Sequence, residues 1–226
     1  MRLAVVEGDN ALCAGIAREI RSAGHRCTEF HSGEAFRRAL YHESYDLVVV
    51  DQQLADIASD ELLGWMRNSL PWSPPVILMT PQPSRGGSET RLNPADDCLP
   101  RSDAVESICD HAETLLQKRF GATDCDSGIE YFGRYAFDSR ARRVTLAGKA
   151  IPVTAKVFSL ALLFFRNLDR PLSRGHLCEA IWGGLHANSS RTLDAHISLV
   201  RARLQLLENG LRLGSIYGFG YKLEQI

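Results

Sequence analysis

In the first half of the chain, residues able to do chemistry stand at the ends of apolar runs. Glu7 and Asp9 follow Leu3-Ala4-Val5-Val6, Asp51 follows Leu47-Val48-Val49-Val50, Thr80 follows Val76-Ile77-Leu78-Met79, and Arg101 follows Cys98-Leu99-Pro100. In an open parallel α/β sheet the carboxyl ends of the strands line the ligand crevice, so these carboxylates, the hydroxyl and the guanidinium together could bind a small polar ligand. A second group lies near the C-terminus, where Arg191, His196, Arg201 and Arg203 are interleaved with Ala195, Ser198, Leu199 and Ala202. That pattern suits the gripping of a polyanion rather than bond making. Neither group contains a nucleophile–base pair or a metal constellation, so an enzyme is not expected. The six cysteines, Cys13, Cys27, Cys98, Cys109, Cys125 and Cys178, form no C-x-x-C pair. They read as free thiols in a reducing cytosol.

The first group needs a sheet to position it. Short apolar runs at 3–6, 27–30, 46–51, 76–79 and 97–99 read as strands, the third a continuous β-branched run of the kind buried on both faces. Helix-period stretches at 10–22, 33–41, 59–68 and 103–118 separate or follow them. Residues 81–94 contain Pro81, Pro83, Gly86 and Gly87, so any helix there is expected to be short. The result is a (βα)5 doubly wound parallel sheet over residues 1–119. Residues 120–128 are small and polar and read as a linker. Residues 129–226 change period: short antiparallel strands at 134–138, 143–146 and 150–152, then three helices, then two strands around Gly218-Phe219-Gly220. Thr154 and Ser173 are the expected N-caps of the first two helices, and the third runs from 188–190 to about Leu207. This second domain is α+β, so the fold class is α/β plus α+β.

Residues 1–118 resemble a response-regulator receiver, on the pieces 3–9, 46–51, 75–80 and 95–101. The resemblance implies that Asp51 is a phospho-acceptor and Thr80 the hydroxyl that turns toward the phosphate. Several positions depart from that pattern. Receivers place two acidic residues together after the first strand, whereas here Glu7 is followed by Gly8, with Asp9 displaced by one. Glycine supplies no side-chain oxygen to a Mg2+ ion that wants near-octahedral oxygen ligands. Arg101 stands where a Lys is usual, and its planar fork does not replace a compact ammonium. Cys98 stands where an aromatic switch residue is usual. Two readings of Asp51 follow: a phosphorylated residue served by Glu7, Asp9 and a weakly held Mg2+, or an ordinary strand-end carboxylate paired with Arg101. Regulation without phosphate and without a cofactor is the expectation preferred.

Residues 154–223 resemble the OmpR/PhoB type of winged helix. The resemblance rests on Leu172-Ser173-Arg174, Ile181-Trp182-Gly183, the run Ser190-Arg191-Thr192-Leu193-Asp194-Ala195-His196-Ile197, and Tyr217-Gly218-Phe219-Gly220-Tyr221. On the third helix Leu193, Ile197, Val200, Leu204 and Leu207 form the expected core stripe. The opposite side carries Arg191, Ala195, Ser198 and Ala202 beside Leu199, flanked by Thr192, His196, Arg201 and Arg203. Such a helix can enter a major groove and hold both phosphate walls. With no Arg, Asn or Gln on its crest beyond Arg191, base reading should fall to Ser198, to thymine-methyl contacts from Ala195, Leu199 and Ala202, and to DNA shape. Asp194 is expected to orient a neighbouring Arg, and Trp182 to join the core. In the wing, Tyr217 replaces a frequent Arg, while Arg212 and Lys222 remain as phosphate contacts.

Charge divides along the same boundary. Residues 1–126 hold 12 Lys and Arg against 20 Asp and Glu, net −8; residues 127–226 hold 14 against 7, net +7. Only the second half suits a polyanion. With no signal stretch at Met1 and no run long enough to span a bilayer, a cytoplasmic protein without membrane contact is expected. The expected partners are double-stranded DNA and a second copy of the chain, docked through Asp96, Asp97, Val105, Ile108, His111, Leu115 and Lys118. The family resemblance adds a sensor histidine kinase and RNA polymerase. A signalling adaptor or small-molecule sensor using the strand-end cleft remains the reading from another class.

Overall fold

The computed structural model describes residues 1–70, 72–81, 95–120, 128–183 and 189–226. The chain divides into two compact units, Met1–Gly121 and Ala122–Ile226.

In the first unit the strands are β1 (Arg2–Val6), β2 (Arg26–Phe30), β3 (Leu47–Asp51), β4 (Val76–Thr80) and β5 (Asp97–Pro100). The helices are α1 (Asn10–Ser22), α2 (Gly33–Ala39), α3 (Ser59–Ser69) and α4 (Ala104–Phe120). All strand pairs are parallel, in the order β2-β1-β3-β4-β5. The crossover between β4 and β5, expected to be short if helical, falls largely on residues 82–94, outside the described residues. Alternation along the strands separates two cores. Leu3, Val5, Leu47, Val49, Ile77 and Met79 face α1 and α4, while Ala4, Val6, Val48, Val50 and Leu78 face α2 and α3. The chain leaves β1 toward β2 on one side and β3 on the other, so the carboxyl ends of β1 and β3 flank the switch-point crevice. Glu7 and Asp51 stand there.

One sequence expectation fails on α4. Ile108 and Leu115, assigned to a dimer face, are buried in the unit's own core with Ala112 and Leu116. Spaced at i, i+4, i+7 and i+8, these residues form one stripe, and the stripe faces the sheet and α1. Val105 also packs inward, 3.3 Å from where a Cβ on Gly15 would sit.

In the second unit a four-stranded antiparallel sheet, β6 (Ile129–Phe132), β7 (Tyr135–Asp138), β8 (Arg143–Leu146) and β9 (Lys149–Ile151), precedes α5 (Ala155–Arg166). Then come β10 (Pro171–Ser173), α6 (Arg174–Trp182), α7 (Ser189–Leu204), β11 (Leu211–Ile216) and β12 (Gly220–Gln225), with β10-β12-β11 forming a second antiparallel sheet. This is a winged helix-turn-helix. Thr154 caps α5 and Ser173 caps α6, each accepting a backbone N–H. Gly183 ends α6 in the left-handed conformation at φ 82°. Leu207, expected in the core stripe of α7, is exposed. Gln205 adopts a positive φ of 51°, which breaks the helical phase and turns Leu206 inward in its place. The hydroxyl of Tyr135 donates to the carbonyl of Leu204 at 2.7 Å and holds the end of α7 against β7.

The glycine at 220 is demanded by close approach. A Cβ there would lie 2.1 Å from the Leu172 carbonyl oxygen and 3.0 Å from the Arg174 nitrogen, both backbone atoms that the wing and α6 hold in place. Gly220→Ala is therefore expected to lower stability by about 2–3 kcal/mol, the upper range for overpacking. Gly214→Ala on neighbouring β11, where a Cβ meets nothing within 4 Å, serves as the control in thermal melts.

Candidate functional site

At the strand ends of the first unit one cation organises the acids. Glu7 is buried, and Arg101 grips its carboxylate with two bonds, Nη2 to Oε1 at 2.9 Å and Nε to Oε2 at 3.2 Å. The same guanidinium lies 3.9 Å from Asp51 Oδ2 and 4.0 Å from Asp9 Oδ2. The pairing of Asp51 with Arg101 expected from sequence is thus only an ion-pair approach, and the hydrogen bonds go to Glu7. A bidentate fork on a carboxylate is the geometry that suits arginine and not lysine.

Asp9 does other work. Its carboxylate accepts the N–H groups of Ala11 and Leu12, caps α1, and is held below the usual carboxylate range by those bonds, Leu12 first. Its own N–H donates to Glu7 Oε1 at 2.8 Å. Asp9 thus commits Oδ1 to the helix cap, while its Oδ2 lies 4.0 Å from Arg101. Asp51 is buried at the end of β3, its Oδ1 without a hydrogen-bond partner among the described residues. Burial raises its pKa, and the charge of Glu7 adds to the rise, against backbone N–H groups and Arg101. Among the described residues nothing comes within 4 Å of where a Cβ on Gly8 would be. Thr80 ends β4, half-buried and in register with Pro100. Cys98 on β5 packs at the edge of the core formed by Val48, Val50 and Leu78, and burial, then Asp97, pushes its thiol up.

The donor set does not suit Mg2+. Its carboxylates face a guanidinium bound to Glu7, one of them caps a helix, and the position between Glu7 and Asp9 offers no side-chain oxygen.

In the second unit α7 presents its core stripe, Leu193, Ile197, Val200 and Leu204, inward. Arg191, Ala195, Ser198, Leu199, Arg201, Ala202 and Arg203 are exposed on the other side. Thr192 and His196 are half-buried. His196 Nδ1 bonds the Thr192 carbonyl at 2.8 Å, and its ring meets Trp182 edge-on at 5.2 Å. The Ser198 hydroxyl donates back to the Asp194 carbonyl at 3.0 Å, which leaves its oxygen as an acceptor. Arg201 is partly committed, its Nε donating to the Leu213 carbonyl of β11 at 2.8 Å beside the Tyr221 ring.

Asp194 does orient an arginine. Arg174 Nη2 reaches Asp194 Oδ1 at 2.8 Å, and Tyr221 donates its hydroxyl to the same oxygen at 2.6 Å. Burial opposes ionisation of Asp194, but these two bonds outweigh it and hold the carboxyl below its usual range. The triad ties α6, α7 and β12 together. Sequence reasoning found the acid but missed Tyr221, whose signal is the last position of Tyr217-Gly218-Phe219-Gly220-Tyr221. In the wing, Tyr217 is fully exposed at the turn. Arg212 (Nε at 2.7 Å) and Lys222 (2.8 Å) share Glu224, and Lys222, then Arg212, holds that carboxyl below its usual range. Such exposed pairs are weak, so a phosphate can compete for both cations.

Residues 148–223 match the family described as "Transcriptional regulatory protein, C terminal", the segment from the end of β8 to the close of the wing. The chain is 25% identical over 224 residues to the sensory transduction protein RegX3 of Mycolicibacterium smegmatis, covering 97% of each. It is 29% identical over 224 residues to the transcriptional regulatory protein VxrB of Vibrio cholerae, covering 98% of this chain and 87% of that one. The chain is similar over nearly its full length to OmpR/PhoB-type response regulators. The regulator also shares 24% identity and a TM-score of 0.44 with the response regulator DrrB of Thermotoga maritima, over 98% of each chain. It is a DNA-binding protein of transcription control, and among the described residues no helix is long and apolar enough to cross a membrane.

Proposed function

We propose that the regulator is a sequence-specific, cytoplasmic transcription factor that acts without phosphorylation of Asp51 and without a bound Mg2+. The observation that carries this reading is the Arg101 guanidinium set among Glu7, Asp51 and Asp9, with both hydrogen bonds to Glu7. Phosphoryl transfer to Asp51 needs its carboxylate accessible and the developing charge met by a metal and a compact cation. Here the cation is already bound to a neighbouring acid. RNA polymerase remains the expected partner in transcription, while a sensor kinase has no role in this reading.

The test is intact-mass analysis after acetyl phosphate and Mg2+, run beside selection of a DNA site by the unmodified full-length chain. No mass increase together with selection of a defined site is expected. Stoichiometric modification that Asp51→Ala abolishes and that DNA binding requires would overturn the reading and favour a phosphorylation-switched regulator.

A two-fold dimer suits paired half-sites about one helical turn apart. The surface assigned to it is polar, because the apolar residues of α4 lie in the core. Asp97 is bonded to His111 at 2.7 Å and Asp96 to Arg67 at 2.5 Å, with exposed Lys118 nearby along α4. The dimer is therefore expected to weaken as salt rises, which sedimentation at low and high ionic strength reads directly. A dimer indifferent to salt would place the contact elsewhere.

A further inference from the structure

We propose that Cys13, Glu29 and His31 form a divalent metal site of borderline softness, suited to Zn2+, where α1 crosses β2. The thiol, a carboxylate oxygen and a ring nitrogen of these residues all lie within 4.8 Å of one another. Zinc bonds of roughly 2.0–2.3 Å place ligand atoms about 3.4–3.8 Å apart on a tetrahedron, so a small closure completes the arrangement. Sulfur, imidazole and carboxylate together favour zinc over the hard cations magnesium and calcium.

Chain geometry brings the three together. Alternation along edge strand β2 turns Glu29, in register with Val5, to the same side of the sheet as α1, and His31 follows at the next position of that face. Cys13 lies in the first turn of α1, just after the Asp9 cap.

The surrounding bonds prepare the ligands. His31 Nδ1 lies 3.1 Å from the Glu7 carbonyl. A carbonyl can only accept, so that nitrogen carries the proton and Nε2 keeps the lone pair a metal needs; metal-binding histidines are oriented in this way. Glu29 Oε1 is held by Arg21 Nη2 at 2.8 Å, which leaves the second oxygen for coordination. Exposure is graded from buried Cys13 through half-buried Glu29 to exposed His31, giving an access route and an open side for a water as fourth ligand. An apolar residue at 29 would have served packing alone. Burial, and then the charges of Glu29 and Glu7, push the Cys13 thiol up to about 11. A bound dication reverses that electrostatic balance, and the thiol proton leaves to solvent as the metal–sulfur bond forms.

The test uses the full-length chain without an affinity tag, reduced, stripped with chelator and titrated with Zn2+ against a chromophoric competitor. Co2+ serves as the spectroscopic probe of thiolate coordination. One Zn2+ per chain is expected, with affinity falling by at least about 10–100-fold in His31→Asn and in Glu29→Gln. The cobalt–thiolate absorption should vanish in Cys13→Ala and persist in Cys109→Ser. His31 is exposed, so its variant separates loss of binding from loss of fold, with circular dichroism as the check. Absence of Zn2+ binding, unchanged affinity in His31→Asn, or a cobalt–thiolate band that survives Cys13→Ala would each overturn the proposal.

Discussion

The double substitution Gly8→Asp, Arg101→Lys is expected to convert a chain that acetyl phosphate leaves unmodified into one that gains a phosphoryl group on Asp51. Among the described residues Gly8 has no neighbour within 4 Å of a Cβ, and it is not in the left-handed region, so a carboxylate can be added there without a clash. Arg101 contributes two hydrogen bonds to Glu7 that lysine cannot reproduce in the same fork. Replacing it releases a carboxylate that is 1% exposed and otherwise locked. Either change alone should do less: Gly8→Asp leaves the guanidinium in place, and Arg101→Lys leaves an oxygen ligand missing. Intact mass after treatment, compared across wild type, the two single variants and the double variant, reads the effect. A double variant that stays unmodified while its melting temperature matches wild type would show that the block lies outside these two positions.

Substitutions on α7 should separate into two classes in a single binding assay. Arg191 at the start of the crest and Arg203 on its flank are both exposed, with no intramolecular hydrogen bond for either guanidinium among the described residues. If they meet phosphates, Arg191→Ala and Arg203→Ala should weaken specific and scrambled duplexes alike and shrink the log–log salt slope by about one unit each. Ser198 and Leu199 lie where base edges should be, and replacing them should change the preferred sequence by about 1–3 kcal/mol per altered base pair. Arg201 belongs to neither class alone. Its Nε bond to Leu213 means that Arg201→Ala should also loosen the helix–wing joint and lower the melting temperature. An Arg191→Ala variant that lost sequence preference but kept non-specific affinity would mean that Arg191 points into the groove.

Much of the architecture was legible because it depends on local pattern. A strand buried on both faces must be almost uniformly apolar, and 47–50 is, so β3 could be read directly. Helix starts at Thr154 and Ser173 were legible because a side-chain oxygen there satisfies an N–H that the helix itself cannot. The motif ending at Tyr221 could be read as a wing because glycine at 218 and 220 answers two separate demands, a positive φ of 70° and a backbone approach no Cβ would tolerate.

What failed depends on pairing or on direction. Strands β6 and β10 are four and three residues long and exist through ladders to β7 and β12, which no short window of sequence reveals. Ile108 and Leu115 carried the correct period, but periodicity defines a stripe and not what the stripe faces. Leu207 fitted the stripe of α7 until a positive φ at Gln205 broke its phase.

The sequence by itself determined the element types, the division into an acidic and a basic half, and the residues at each strand end, because composition, period and capping act within a few residues. Only the tertiary structure decided which of those residues answer one another. Arg101 and Glu7 are 94 positions apart, and nothing local in either half-motif says that the cation bonds Glu7 while merely approaching Asp51. Asp194 found Tyr221, and His31 found the Glu7 carbonyl, in the same way. A hydrogen bond is fixed by the position of its partner to within a few tenths of an ångström, and that position is set by how the sheet and helices pack.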